Sequence, residues 1–190
     1  MTLSKDLPES PATGLPENGF NDFGIRIADE SLLSLGQGRE PLPLYTEVIV
    51  DGEVVEPYQS VDLPAFVASV RCSGRFEIFV CGCSIPRSCG ALFHGVHVRH
   101  ASGGIVQWTL HRPQWVYNDD APYDGSFGPE QDLAFTFSCG QMRVALGQYF
   151  DAVRALDAEY AGRLEWPIRG QTIAKILKLE ARVLVDGRSR

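Results

Sequence analysis

The sequence predicts an α+β fold, in which an antiparallel sheet built from hairpins packs against a long helix in the C-terminal half of the chain. Three observations support this: turn signals between apolar runs at residues 51–52 and 102–104, and a helical repeat of apolar residues from Met142 onwards. With 190 residues, the chain is long enough for one domain with a substantial core. We expect residues 21–190 to form a single α+β domain, and residues 1–20, rich in proline and glycine, to be a flexible N-terminal arm.

The first hairpin is predicted in LPLYTEVIVDGEVV. Asp51 and Gly52 separate two apolar runs, and an Asp-Gly pair in that position is a strong signal for a two-residue turn. A short helix is predicted next, in SVDLPAFVASVR. Ser60 or Asp62 can cap it, and Pro64 fits its first turn, where the missing amide hydrogen is harmless.

Further segments alternate apolar and polar residues with the period of two that is typical of half-buried strands. RFEIFVC (75–81) is interpreted as one strand, LFHGVHVRH and IVQWTL as a second hairpin, and LAFTF (133–137) as another strand. We therefore expect the two hairpins and the strand at 133–137 to form one antiparallel sheet.

A long helix is predicted from about residue 139 to residue 161, covering one face of that sheet. Ser138 and Gln141 have the spacing of a capping box at its start. The apolar residues recur at steps of three and four, so they form a core-facing stripe. They are Met142, Ala145, Leu146, Tyr149, Phe150, Val153, Leu156 and Tyr160. The later segment TIAKILKLEARVLV (172–185) fits either a helix or a buried strand.

The charge of the chain is unevenly distributed. The net charge is −7, and residues 1–60 hold eleven carboxylates against three basic residues. This balance repels phosphate backbones and anionic lipid, and it favours a basic protein surface as partner. We therefore expect neither a nucleic acid nor a membrane as partner.

The N-terminal sequence has no apolar run typical of a secretory signal, and no segment has the length of a membrane span. We expect a cytoplasmic protein, in which disulfides are rare. The five cysteines are then buried, metal-bound or reactive. Cys72 and Cys139, next to predicted helix ends, are interpreted as small core residues.

The stretch FVCGCSIPRSCGALFHGVHVRH concentrates three cysteines and three histidines. Cys81, Cys83, Cys89 and His94 would supply the four ligands, three thiolates and one imidazole, of a tetrahedral zinc site. Their Cys-x-Cys spacing differs from the usual Cys-x2-Cys knuckle. The interpretation we prefer is a buried cluster at the end of a hairpin, without a cofactor. Zinc and a redox-active thiol pair remain as alternatives.

Strand parity refines the zinc hypothesis. Val96 and Val98 share the core face with His94, whereas His97 lies on the other face. Pairing this strand with RFEIFVC places His97 opposite Glu77, away from the cysteines. His97 is therefore a poor ligand in this interpretation, and His94 remains a candidate.

The segment RPQWVYNDDAPYDGSFGPEQD has no period and is predicted to be a long surface loop. Its aromatic and acidic residues are candidates for contact with a partner. These candidates are Trp115, Tyr117, Asp119, Asp120 and Asp124. His111 could form an acid–base site with the loop aspartates, but a histidine beside a loop is more commonly just exposed. No nucleotide, nucleophile or metalloprotease motif is present, so no catalytic residue is assigned.

The run FEIFVCGCSIPRSCGALFHGVHVRH followed by VQWTL resembles a group of small uncharacterised bacterial proteins. In that group a strand ends in Cys-x-Cys, a third cysteine follows, and a short strand leads to a tryptophan. The matching residues are Cys81, Cys83, Cys89, Gly90, Gly95, Val96, Val98 and Trp108. Ser84 departs from the group, which often has glycine there. The resemblance implies a genuine sequence unit and no particular activity.

The sequence thus predicts a cytoplasmic bacterial binding or regulatory protein, with a basic protein as the possible partner. The alternative is a zinc-binding protein or metal-dependent enzyme that uses the stretch 81–94.

Overall fold

A computed structural model describes residues 19–28, 42–55, 60–80, 95–111, 132–160, 163–168 and 171–184. The described strands are β1 (Phe23–Ile27), β2 (Leu42–Pro43), β3 (Thr46–Val50), β4 (Glu53–Val55), β5 (Ser60–Val61), β6 (Gly74–Phe76), β7 (Phe79–Val80), β8 (Val96–Ala101), β9 (Ile105–Leu110), β10 (Leu133–Ser138) and β11 (Leu164–Glu165). The described helices are α1 (Leu63–Ser69), α2 (Cys139–Glu159), α3 (Ile173–Leu177) and α4 (Glu180–Leu184). The predicted α+β fold class is confirmed.

The first predicted hairpin lies in a three-stranded antiparallel sheet with the order β1–β3–β4. Asp51 and Gly52 form its turn with φ angles of 52° and 87°, the left-handed pair that a tight hairpin turn requires. β1 was not expected from the sequence, although Phe23, Ile25 and Ile27 alternate with less buried residues. These three side chains enter the core, and β1 pairs with β3 along its whole length.

The second predicted hairpin belongs to a separate sheet. β8 and β9 join β6 and β10 in a four-stranded antiparallel sheet with the order β10–β9–β8–β6. The prediction of one sheet containing both hairpins was therefore wrong. The hairpins alternate correctly within themselves, but the sequence pattern carries no information on which strands become neighbours.

RFEIFVC also departs from the prediction, because it contains two short strands in different sheets. β6 pairs with β8, whereas β7 pairs with β5. Ile78, Phe79 and Val80 are all buried, so the alternation stops where the chain crosses from one sheet to the other. As a result Arg75, and not Glu77, lies opposite His97.

The helices follow their sequence signals closely. The Asp62 carboxylate caps α1 by accepting a hydrogen bond from the Ala65 N–H at 2.9 Å, and Pro64 lies in the first turn. Ser138 is the N-cap residue of α2, but its side chain makes no capping hydrogen bond, so the expected capping box does not form. In the segment 172–185, α3 and α4 decide between the two alternatives in favour of helix.

An aromatic cluster joins both main sheets to α1. Trp108 and Phe137 extend from the four-stranded sheet, Phe23 from β1 and Phe66 from α1. All four side chains are buried. Trp108 makes edge-to-face contacts with the other three, with ring centroids 5.3–6.2 Å apart. Such contacts add to the stabilisation from apolar burial, so this cluster is a central part of the core.

Two polar contacts tie distant parts of the chain together. Asn21 donates its main-chain N–H to the Thr136 carbonyl, and its Oδ1 accepts from the Thr136 N–H, both at 2.7 Å. The Tyr149 hydroxyl lies 2.6 Å from the Thr46 hydroxyl in the interior. Burial raises the pKa of Tyr149 well above its usual range, so its hydroxyl keeps its proton. This hydrogen bond attaches α2 to β3.

The two described cysteines differ in burial. Cys72 is exposed, so its prediction as a core residue was wrong; it follows α1, with its sulfur 3.4 Å from the Ala68 carbonyl. Cys139 is half-buried at the start of α2. Among the described residues, no helix is long and apolar enough to cross a membrane.

Candidate functional site

The side chains that the sequence singled out lie outside the described residues. They belong to the segments 81–94 and 112–131. The metal candidates are Cys81, Cys83, Cys89 and His94. The candidates for partner contact are Trp115, Tyr117, Asp119, Asp120 and Asp124. The described residues nevertheless fix where these two segments join the fold.

The segment 81–94 follows β7 of a two-stranded sheet and ends at the four-stranded sheet, and the segment 112–131 starts and ends at that same end of the four-stranded sheet. The chain re-enters the sheet at Gly95, leaves it at His111 and returns at Asp132. In the register, Val96 pairs with Leu110, and Leu110 also pairs with Leu133. The three flanking residues therefore lie beside one another, one step beyond the paired rows. We call this region, formed by Gly95, His97, His111 and Asp132, the histidine end of the sheet.

Asp132 and His111 are in direct contact at the base of the segment 112–131. His111 Nδ1 lies 3.1 Å from Asp132 Oδ2. A carboxylate only accepts hydrogen bonds, so His111 Nδ1 carries the proton in this contact. The side chains are 40% and 59% exposed, so solvent screens the pair and it contributes little stability. Its main effect is to orient the imidazole ring.

The second histidine packs on the first. The rings of His97 and His111 meet edge to face, with centroids 5.0 Å apart and an interplanar angle of 83°. The predicted parity of His97 is confirmed, because it is exposed between the buried Val96 and Val98. His97 pairs with Arg75 on one side and with Thr109 on the other. Two imidazoles, a carboxylate and a guanidinium thus share one sheet face.

The rest of that outer face is polar. Arg99 is exposed next to His97, and Gln107 and Thr136 continue the row across β9 and β10. The opposite face carries Val98 and Trp108 into the core. A face of this kind presents charged and hydrogen-bonding groups without a large apolar patch, which suits recognition of a polar surface.

Within the part of the chain that the structure describes, no group of three or more histidine, cysteine, aspartate or glutamate side chains is arranged to hold a metal ion. This includes His97, His111 and Asp132. Their contacts are a hydrogen bond and a ring packing, not a convergent set of ligands. The zinc hypothesis therefore rests on the stretch 81–94 alone.

The sequence could have identified part of this arrangement. His97, His111 and Asp132 follow the outward parity of their strands, so the strand pattern places them on one face. The interpretation of His111 paired it with loop aspartates, whereas its described partner is Asp132, the residue directly before β10. Only the strand register brings these two residues together.

Comparisons of the chain with protein-family models, with curated proteins and with solved structures found no match.

Proposed function

We propose that this chain is a cytoplasmic bacterial binding or regulatory protein that holds a basic protein partner at the histidine end of its four-stranded sheet. The observation that carries the proposal is that the segment 81–94 ends, and the segment 112–131 starts and ends, at one end of this sheet, around the contact between His111 and Asp132. One of the two stretches richest in chemically distinctive side chains thus ends at this surface, and the other both starts and ends there.

The roles of the candidate residues follow from their chemistry. Trp115 and Tyr117 offer large, rigid contact areas of the kind that anchors protein interfaces. Asp119, Asp120 and Asp124 offer negative charge to a basic surface. The overall charge of −7 adds long-range attraction that speeds encounter with a basic partner and weakens in salt.

The test compares two variants that remove the same number of charges. In one, Asp119, Asp120 and Asp124 become Asn. In the other, the exposed Glu53, Glu159 and Glu165 become Gln. Proteins captured from a bacterial lysate by the parent are identified and purified, and their affinities are measured at low and high salt.

We expect the aspartate variant to lose most of its affinity at low salt, and the glutamate variant to bind nearly as tightly as the parent. Equal binding by both variants would show that the charge of the segment 112–131 does not hold the partner. A partner that binds more tightly in high salt would contradict the electrostatic basis of the proposal.

The alternative function is a zinc protein in which Cys81, Cys83, Cys89 and His94 bind the ion. The presence of four suitable ligands, three cysteines and one histidine, within one short stretch favours it. Elemental analysis of the purified protein, with native mass spectrometry, tests it. Stoichiometric zinc that is lost in Cys83→Ser and kept in Cys72→Ser would support this alternative, because Cys72 is a cysteine outside the stretch. A metal-free mass with five free thiols would exclude it.

A further inference from the structure

The outer edge of β1 presents main-chain groups that are not used by its sheet. β3 is the one strand that pairs with β1 in the described part of the chain. The Ala28 N–H donates to the Tyr45 carbonyl, and the Asp51 N–H donates to the Asp22 carbonyl, both at 3.0 Å. Because hydrogen-bonded and non-hydrogen-bonded pairs alternate in antiparallel strands, the N–H and C=O groups of Ile25 and Ile27 point away from β3.

A groove of about 540 Å³ lies between this edge and α2. Ile25, Arg26 and Ile27 line it on the strand side, and Ala152, Ala155 and Leu156 are among the residues that line it on the helix side. Ala152 and Ala155 are exposed, and their small side chains leave space in front of the strand. The volume is in the range of ligand-binding clefts.

We propose that this groove binds an extended segment of a basic protein, which adds to β1 as a further strand. Main-chain groups of Ile25 and Ile27 supply the hydrogen bonds of the new ladder, and the apolar walls receive every second side chain. A groove that only accommodated a small apolar molecule would not require beside it a strand edge that no other described strand pairs with.

The charge of the three-stranded sheet indicates a basic segment. Its described residues include four carboxylates, Asp22, Glu47, Asp51 and Glu53, against the single guanidinium of Arg26. Arg26 is itself paired with Glu47 at 2.7 Å, so it offers little net positive charge to a ligand. Asp22 and Asp51 lie together where β1 begins, on the same strand as the groove residues Ile25, Arg26 and Ile27 but outside the groove lining. The carboxylates therefore act on a ligand through the net charge of the sheet and not through direct contact in the groove.

This inference rests on the proposed function for the sign of the partner's charge, but it concerns a different surface. The experiment therefore uses substitutions in the groove that leave the histidine end unchanged. Ala152→Trp and Ala155→Trp each fill the groove from an exposed helix position. Ala158→Trp is the control, because Ala158 is exposed on the same helix and does not line the groove.

The probe is a phage-displayed library of random dodecapeptides, selected on the parent protein and counter-selected on Ala152→Trp. We expect enriched peptides that alternate apolar residues with Lys or Arg. A synthetic, fluorescein-labelled peptide of this kind should bind about tenfold or more weakly to both groove variants. It should bind equally well to Ala158→Trp and to the variant with Asp119, Asp120 and Asp124 changed to Asn. Thermal melts confirm that each variant is folded.

Amide hydrogen exchange tests the added strand directly. On peptide binding, the amides of Ile25 and Ile27 should become protected, whereas those of Gly24 and Arg26, already directed to β3, should change little. Methylation of alternate peptide nitrogens should abolish binding.

The inference fails if no peptide distinguishes the parent from Ala152→Trp, or if bound peptide leaves Ile25 and Ile27 unprotected. It also fails if sedimentation shows that the parent dimerises and Ala152→Trp does not, since the occupant would then be a second copy of this chain. If the variant with Asp119, Asp120 and Asp124 changed to Asn loses its lysate partners but still binds the peptide, the histidine end and the groove are two independent binding surfaces.

Discussion

In the described part of the chain, β10 and β1 each have one edge that pairs with no strand; Asn21 binds the edge of β10, whereas the edge of β1 faces a groove. At β10, Asn21 supplies both a donor and an acceptor to Thr136, at 2.7 Å each. At β1, the outward groups of Ile25 and Ile27 lie beside small helix residues. The unpaired N–H and C=O groups of an exposed strand edge can form hydrogen bonds with a strand of another chain. At β10, a single residue occupies the groups that would pair. The edge of β1, which lies beside an apolar groove, is therefore the better candidate for binding another chain.

The largest expected loss of stability is at the β6 side of the four-stranded sheet, opposite β10. Gly95 has a φ of +63°, and a Cβ there would lie 2.7 Å from the Phe76 carbonyl oxygen. Gly103 has a φ of +79° with open space around it. A left-handed conformation costs a residue with a Cβ about 1–2 kcal/mol, and the close approach to β6 adds strain at position 95 alone.

We expect Gly95→Ala to lose about 3 kcal/mol of unfolding free energy and Gly103→Ala about 1 kcal/mol, measured by urea denaturation. Equal losses would mean that β6 moves away at little cost and that this edge is held loosely.

The next largest loss of stability is expected where α2 is hydrogen-bonded to β3 of the three-stranded sheet. Tyr149→Phe removes the hydroxyl that pairs with Thr46, whose side chain is then buried without a partner. We expect a loss of about 1–3 kcal/mol. Adding Thr46→Val removes the unpaired group, so the double variant should regain part of that stability. A double variant that is less stable than Tyr149→Phe would argue against this explanation.

A smaller loss of stability is expected when the contact of Asn21 with β10 is removed. Asn21→Ala removes the acceptor for the Thr136 N–H and the amide that donates to Asp51 Oδ2 at 2.7 Å. We expect a loss of about 1 kcal/mol and concentration-dependent association, measured by sedimentation velocity. Glu53→Ala, at an exposed position of the neighbouring β4, should change neither property. A monomeric Asn21→Ala protein at all concentrations would show that Asn21 is not needed to protect β10.

The smallest effect is expected at Asp62, the residue that caps α1. Burial raises the pKa of this carboxyl, against the lowering effect of its hydrogen bonds from Ala65 and Gln171. The folded form therefore binds its proton more tightly than the unfolded form, and stability falls as the pH rises from 3.8 through the raised value. Asp62→Asn should remove this dependence and keep the cap, because Asn caps helices about as well as Asp.

We expect a gain of about 0.5 kcal/mol at neutral pH, since solvent screens part of the effect. Gln171 Oε1 is buried without a hydrogen bond and could accept one from the new amide. Chemical denaturation of both proteins between pH 3.5 and 7 measures the difference, and parallel curves would contradict the assignment to Asp62.

The elements that the sequence predicted well depend on neighbouring residues. The turn at Asp51 and Gly52, the cap at Asp62 and the stripe on α2 are local patterns, and the structure confirms all three. The features that were missed depend on distant partners. β1 is a short strand that forms because it pairs with β3 and packs against α2. RFEIFVC forms two strands instead of one because its two halves pair with different strands.

The same distinction applies to function. Composition indicated the segments 81–94 and 112–131, and these lie outside the described residues. The contact of His111 with Asp132 and the groove beside β1 each join residues that are remote in sequence, so no local pattern could have predicted them. The alternation of residues in the sequence predicted the correct sheet face for His97. Its neighbours, Arg75 and Thr109, became known only from the strand register of the structure.

The hydrogen bond between Thr46 and Tyr149 spans 103 positions of the chain. At a synthesis rate of roughly 5–20 residues per second, the ribosome therefore needs about 5–20 s after completing β3 to deliver the helix that covers it. During that time Ile25 and Ile27 lack their helix partner on the nascent chain. The carboxylates around them then have a second use, since charge next to an exposed apolar strand slows aggregation of the emerging polypeptide.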